Sequence, residues 1–186
     1  MAEEVKDKDK EKEKADGEEK WSPRTTKLVA LTALLLAICA TFSSLKAGGL
    51  TNQAILAQAQ ASDQWAYYQA KSLKENTYKV QLDAIKLHQG QFNGEEAEKV
   101  AAGYQEQIAT YKQEEKEISE KAKALEAKRD RSLELRVGFA NGLTYLQIAI
   151  LLTSLTALIK QLLFWYAGLA VGAVGAYYFF STLMLM

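Results

Sequence analysis

Three long stretches of the chain contain no charged residue, and they limit the folds that it can adopt. These stretches are residues 28–45, 137–159 and 161–186, which contain 18, 23 and 26 residues. A helix rises about 1.5 Å per residue, so roughly 20 apolar residues cross the hydrocarbon core of a bilayer. The first stretch reaches that length if it continues to Leu50 and Lys46 snorkels to the membrane surface. We therefore predict three transmembrane helices, at residues 28–50, 137–159 and 161–186.

The charged residues are concentrated in the remaining parts of the chain. The totals are 23 Lys plus Arg and 23 Asp plus Glu, so no charge excess points to a nucleic-acid partner. Residues 1–27 begin with a run that consists almost entirely of Glu, Asp, Lys and Ala. Such a run buries too little apolar surface to offset its loss of conformational entropy on ordering. We predict a charged, disordered tail over residues 1–27.

The segment between the first two spans, residues 51–136, is rich in Ala, Gln and charged residues and contains no proline. Its turn-forming residues are clustered at Gly90, Asn93 and Gly94. We predict an extramembrane helical hairpin made of helices 51–88 and 95–136, whose similar lengths favour an antiparallel coiled coil. The predicted fold is thus all-α, with three transmembrane helices and a long hairpin between the first and the second.

A heptad pattern on both helices predicts how the hairpin packs. On the second helix the pattern collects Ala97, Ala101, Tyr104, Ile108, Tyr111, Glu115, Ile118, Ala122 and Leu125. On the first helix the same steps collect Leu56, Ala59, Asp63, Ala66, Ala70, Leu73, Thr77, Val80, Ala84 and Leu87. Folding the hairpin at Gly90–Gly94 sets Leu73 opposite Tyr111, and Glu115 beside Ala70, within reach of Lys71 or Lys74.

A second apolar stripe on the first helix lies on a face that this predicted packing leaves in water. Its candidate docking residues are Trp65, Tyr68, Tyr78, Leu82 and Ile85. One interpretation is a docking face for a second copy or another protein. The other is that the aromatic residues only flank the seam between the two helices.

Small residues at helical spacing within the three spans predict close packing of the membrane helices. In lipid, helices associate where small side chains let their backbones approach, rather than through the hydrophobic effect. The candidate packing residues are Ala33, Ala37, Gly138, Gly142, Gly168 and Gly172.

The run Ala-Ser-Asp-Gln-Trp-Ala-Tyr-Tyr-Gln-Ala-Lys-Ser at residues 61–72 combines three aromatic residues with Asp and Gln. With the order of span, coiled segment and two terminal spans, it resembles the bacterial membrane proteins of the domain-of-unknown-function 4337 family. The resemblance implies a bacterial origin and the plan tail, span, coiled coil, span, span. It implies no activity, ligand or partner.

The orientation in a bacterial inner membrane follows from the tail. Basic residues near the spans are almost equally frequent on the two sides, but long segments translocate with little regard to charge. The short tail with Arg24 and Lys27 should stay inside. We predict a cytoplasmic N-terminus and a periplasmic hairpin.

The residue types that most enzymes require are scarce. The chain has one His and one Cys, and it lacks a glycine-rich phosphate motif, so we predict no enzymatic activity, no metal and no cofactor. The leading hypothesis is a membrane interaction or scaffold protein, surrounded by lipid and joined to further copies or to a membrane protein partner. The alternative is a subunit of an oligomeric channel or transporter. Its pore would be lined by Thr32, Thr41, Gln147, Thr153 and Thr156.

Overall fold

A computed structural model of the chain describes residues 22–87 and 94–186. Over these ranges it forms three α-helices and no strand: α1 (Pro23–Leu87), α2 (Gly94–Ile159) and α3 (Leu162–Met184). The predicted all-α fold is confirmed. The first 21 residues of the predicted tail and the predicted turn at 88–93, with His88, lie outside the described residues.

Helices α1 and α2 are each more than 60 residues long, so each joins a predicted span and a predicted hairpin helix without interruption. At the start of α1, the Thr25 backbone N–H donates to Ser22 Oγ at 3.3 Å, and Pro23 occupies the first helical position. A serine cap followed by proline is a favoured helix start because proline lacks the N–H that would go unpaired there. Helix α2 begins with Glu95 and Glu96 in its first turn.

The chain reverses between α2 and α3 at Lys160. This residue has φ 59°, in the left-handed region, and its N–H donates to Thr156 O at 2.9 Å. A left-handed residue just after a helix satisfies a terminal carbonyl and ends the helix. The short turn at Lys160 and Gln161 agrees with the narrow gap that the sequence leaves between the last two spans.

The chain divides into two compact units. The first, here called the apolar bundle, contains the described residues 22–50 and Glu134–Met186. The second, here called the helical pair, is Thr51–Leu133. By length and composition, α1, α2 and α3 are each apolar enough over part of their length to cross a membrane.

Glycines bring α2 and α3 close together in the apolar bundle. A Cβ on Gly175 would lie 2.9 Å from the Leu146 backbone N and 3.1 Å from Gly142 O. A Cβ on Gly168 would lie 3.2 Å from Ala149 O, and one on Gly138 would meet the Thr182 side chain. The two backbones therefore pass each other with no room for side chains at these positions. The predicted packing residues Gly138, Gly142 and Gly168 all lie along this contact.

Helix α1 packs on the same bundle. Leu36 fills the space beside Gly172, where a Cβ would lie 2.8 Å from Leu36 Cδ2. The Trp165 Nε1–H donates to Thr32 Oγ1 at 3.4 Å. A cluster of Leu50, Leu135 and Phe139, with Phe139 stacked edge-on to Phe179, joins all three helices. The predicted packing residues Ala33 and Ala37 are half-buried.

In the helical pair, α1 and α2 are in contact and run antiparallel. Trp65 bonds to Glu126, Lys71 pairs with Glu114, and Tyr78 contacts Tyr104 and Tyr111. Residues later in α1 contact residues earlier in α2, as expected for antiparallel helices. The heptad series predicted for α2 is confirmed, because every member from Ala97 to Leu125 is buried or half-buried.

The face predicted for α1 in this contact is wrong. Leu56, Leu73, Val80 and Leu87 are 59, 69, 69 and 84% exposed, and every other member of the predicted α1 series is exposed too. The buried and half-buried residues lie two positions earlier, on the opposite side of the helix. The reason is side-chain size: this side carries Trp65, Tyr68 and Tyr78, and large aromatic side chains bury far more surface than the Ala-rich series does. Tyr111 lies at about the predicted height along α1, but it contacts Tyr78 and Lys71 rather than Leu73.

Candidate interaction surface

The residues predicted as a docking face lie between α1 and α2. The Trp65 Nε1–H donates to Glu126 Oε1 at 2.9 Å, and Tyr78 stacks on Tyr111 with ring centroids 5.8 Å apart. Leu82 is 8% exposed, and Tyr68 and Ile85 are half-buried. The expectation that this stripe faces water is therefore corrected, because α2 covers it.

The opposite side of α1 is the surface that α2 leaves open. We call the exposed heptad series from Leu56 to Leu87, with its flanking residues, the outer face of α1. Among the described residues 51–87 and 94–133, eight large hydrophobic residues are exposed. Six of them lie on this helix: Ile55, Leu56, Tyr67, Leu73, Val80 and Leu87. The exposed portion of α2 in the helical pair adds only Val100 and Leu133.

The two helices of the pair differ strongly in surface charge. Of the 23 exposed residues of α1 between 51 and 87, four are charged: Asp63, Lys74, Asp83 and Lys86. Of the 26 exposed residues of α2 between 94 and 133, 14 are charged. Charge is the usual property of a helix surface that faces water, and its depletion is typical of a surface that another protein covers. The outer face of α1 therefore has the composition of an interface.

A pair of carboxyl groups lies within the contact between α1 and α2. Glu75 is 4% exposed, and its Oε1 lies 2.8 Å from Lys79 Nζ. Burial, the nearby charge of Glu75 and a hydrogen bond between the two acids raise the pKa of Glu115 above its ordinary value. The hydroxyl of Tyr68 and the charge of Lys79 oppose this rise. The sequence predicted Glu115 beside Ala70 instead, an error that follows from the wrong face of α1.

Lys71 pairs with Glu114, whereas the sequence predicted Glu115 within reach of Lys71 or Lys74. Its Nζ lies 2.7 Å from Glu114 Oε2 and above the rings of Tyr67 and Tyr111, at 5.4 and 5.1 Å from their centroids. The hydrogen bond to Glu114 is the main cause that raises the pKa of Lys71. An ammonium held between a carboxylate and two aromatic rings fixes the level at which α1 and α2 pair.

Potential metal ligands are not clustered in the part of the chain that the structure describes. Within residues 22–87 and 94–186, no three His, Cys, Asp or Glu side chains converge as metal ligands would. The cavity between Leu82, Ile85, Ala97 and Ala101 is an open cleft of about 380 Å³ between the two helices.

The family model described as "Domain of unknown function (DUF4337)" matches residues 25–185. The chain belongs to this family. The match includes nearly all of the three helices, so the resemblance seen at residues 61–72 extends over nearly the whole described structure. No curated protein and no solved structure matches the chain.

Two features of this family member were not predicted from the sequence. The first is the buried Glu75, which lies seven residues before Leu82 on the same stripe and so shares its face. The second is the outer face of α1, which the heptad pattern predicted to pack against α2 and which is exposed in the structure. Its low charge was visible in the sequence and distinguishes α1 from α2 without any structure.

The carboxyl pair of Glu75 and Glu115 makes stability depend on pH. Because the pKa of Glu115 is raised above 4.5, the folded chain binds this proton more tightly than the unfolded chain does. The resulting stabilisation is complete below about pH 4.5 and is lost as the pH rises through the folded-state pKa. We expect Glu115→Gln to flatten the fall in stability that begins near pH 4.5 in the wild type, and to stabilise the helical pair at pH 8 by on the order of 1 kcal/mol.

Hydrogen exchange of the helical pair at pH values from about 4 to 8, corrected for intrinsic exchange rates, measures this effect. Glu117→Gln is the matched control, because Glu117 is an exposed acid on the same helix. The control should keep the pH dependence of the wild type. An unchanged pH slope in Glu115→Gln would show that the carboxyl pair does not hold a proton.

Proposed function

We propose that this protein is a three-span membrane protein whose helical pair is an interaction module that binds other protein molecules through the outer face of α1. The N-terminus lies on the cytoplasmic side of a bacterial inner membrane, and Thr51–Leu133 lies on the periplasmic side. The protein acts as a scaffold or assembly factor and has no catalytic role. The observation that carries the proposal is the contrast in charge, with four charged residues among 23 on α1 and 14 among 26 on α2.

The apolar bundle supports the membrane part of the proposal. Its outward side chains include Leu34, Leu45, Leu151 and Leu163, which are 57, 67, 70 and 72% exposed. Its buried residues include small and polar ones such as Ser43, Thr153 and Thr156. Exposed leucines around a glycine-packed interior suit a lipid environment, where close backbone contact drives association.

Two of the residues named for the channel alternative are unavailable to a pore between copies. Thr153 and Thr156 are fully buried within one chain, and their hydroxyls donate to Ala149 O and Leu152 O. The Thr32 hydroxyl donates to Leu28 O and accepts from Trp165. Packing within the chain already accounts for these groups, so the interaction module remains the better-supported function.

The interaction module is tested by placing charge on the outer face. We expect Leu73→Glu with Val80→Glu to disrupt assembly, because both side chains are 69% exposed and a buried carboxylate without a partner is costly. The measurement is the mass of the protein complex extracted from native membranes in mild detergent. The matched control is Ala109→Glu with Ala124→Glu, on the exposed and charged side of α2.

We expect the first variant to lose most of the complex mass and the control to keep it, with equal helix content in circular dichroism. A complex of unchanged mass and composition in both variants would contradict the interaction module. For the orientation, a cytoplasm-dependent reporter fused to the N-terminus should be active, and an inactive reporter on a stably inserted protein would reverse the proposed topology.

A further inference from the structure

The outer face of α1 is continuous and regular. Starting at Leu56, alternating steps of three and four residues reach Leu87 through ten positions, and all ten are exposed. A helix of 37 residues, the length of α1 within the helical pair, is about 55 Å long. The steps of the series match the repeat of a coiled coil, in which each position meets its counterpart on a second helix. The contact with α2 uses the other heptad positions, so the two faces do not compete.

We propose that the partner on the outer face is a second copy of this chain, whose α1 lies alongside and parallel to the first. This inference rests on the proposed function and identifies its partner. The outer face of α1 on a second copy has the same low content of charged residues. The exposed side of α2 on a second copy would instead place acids and lysines against Leu73 and Val80. Apart from Asp63, self-association through α1 therefore brings no unpaired charge into the central seam.

The parallel direction follows from membrane insertion. Copies inserted with one orientation begin α1 on the same side of the membrane, and α1 continues without a break from the first span. Two such helices that lie side by side run in the same direction. In a parallel pair the flanking residues meet across the interface at a spacing of five positions, which joins Gln69 to Lys74 and Asn76 to Gln81. No two like charges meet at these flanking positions between Ile55 and Gln81.

Asp63 distinguishes a second copy of this chain from a different partner on the outer face of α1. It is the one charged residue in the series from Leu56 to Leu87. In a parallel pair each residue of the central seam faces itself, so Asp63 of one copy lies beside Asp63 of the other. Their repulsion opposes association. A different partner that binds this face would more favourably place a basic residue opposite Asp63, and the effect of neutralising the aspartate would then reverse.

The first experiment is disulfide crosslinking in membranes, with the native Cys39 replaced by Ser. In a parallel pair, Leu73→Cys places two thiols face to face across the seam, and mild oxidation should join two copies that carry different tags. Ala109→Cys, exposed on α2, is the control and should crosslink at least tenfold less. Equal crosslinking at the two positions would indicate random collision and would overturn the inference.

The second experiment is Asp63→Asn in the Leu73→Cys background. We expect an increase of about fivefold in the affinity of self-association, measured as the dimer fraction against protein density in vesicles. A decrease would overturn the parallel self-pair. Photo-crosslinking from position 73 separates the two proposals. If the product contains only a different protein, self-association is wrong and the interaction module stands. If no protein is captured from position 73, both are wrong.

Discussion

Replacing Leu82 with Ala is expected to destabilise the helical pair by about 2–4 kcal/mol, because it removes a buried side chain and leaves a cavity between two helices. Leu82 is 8% exposed in the structure. The measurement is hydrogen exchange of the amides in residues 51–87 and 94–133, read by mass spectrometry in detergent micelles. Exchange in the apolar bundle provides an internal reference, because the bundle is a separate compact unit.

Leu73→Ala is the matched control for this change. It deletes the same atoms from the same helix, but Leu73 is 69% exposed. Under dilute conditions, where the chain is monomeric, it should change stability by no more than about 0.5 kcal/mol. The pair of variants tests which face of α1 meets α2. If Leu73→Ala were the more damaging change, the face predicted from the heptad pattern would be the true one.

Replacing Gly175 with Ala should have a comparable effect on the apolar bundle. The new Cβ would lie 2.9 Å from the Leu146 backbone N and 3.1 Å from Gly142 O. These are backbone atoms within helices, and they cannot move aside without separating α2 from α3. Overpacking of this kind costs about 1–3 kcal/mol. The midpoint of unfolding by sodium dodecyl sulfate, followed through helix content, should fall accordingly.

Gly49→Ala provides the control in the same unit. A Cβ at this position has no heavy atom within 4 Å, and Gly49 lies in the interior of α1. Alanine favours a helix over glycine by about 0.5–1 kcal/mol, so this variant should be unchanged or slightly more stable. Loss of stability in both variants would mean that any methyl group harms the bundle, and the close approach of α2 and α3 would lose its support.

The helices themselves could be predicted from the sequence because their causes are local. Three uncharged stretches, the absence of proline after Pro23 and the gap at Lys160 determine where helices run and where the last turn falls. The seam on α2 could be predicted for a similar reason. That helix has one apolar stripe in its charged half, and Ile118 and Ala122 on this stripe are buried.

The candidate surface could not be predicted correctly because α1 carries two stripes. Both stripes fit a heptad repeat. The repeat alone does not indicate whether the stripe with Trp65 and Tyr78 or the stripe with Leu73 and Val80 becomes buried. The choice depends on side chains that are distant in sequence, such as Tyr104, Tyr111 and Glu126. Large aromatic rings gain more from packing against one another, and their polar atoms find partners across the contact.

The sequence by itself determined the all-α fold and the family to which the chain belongs. It also determined that the chain has three helices that are each long and apolar enough to cross a membrane. Those properties depend on composition and on spacing along a single helix. Only the tertiary structure decided that Trp65 and Tyr78 face α2 and that the outer face of α1 stays open. It also decided that Glu75 meets Glu115. The physical reason is that the face of a helix that becomes buried depends on the shape and charge of its neighbour.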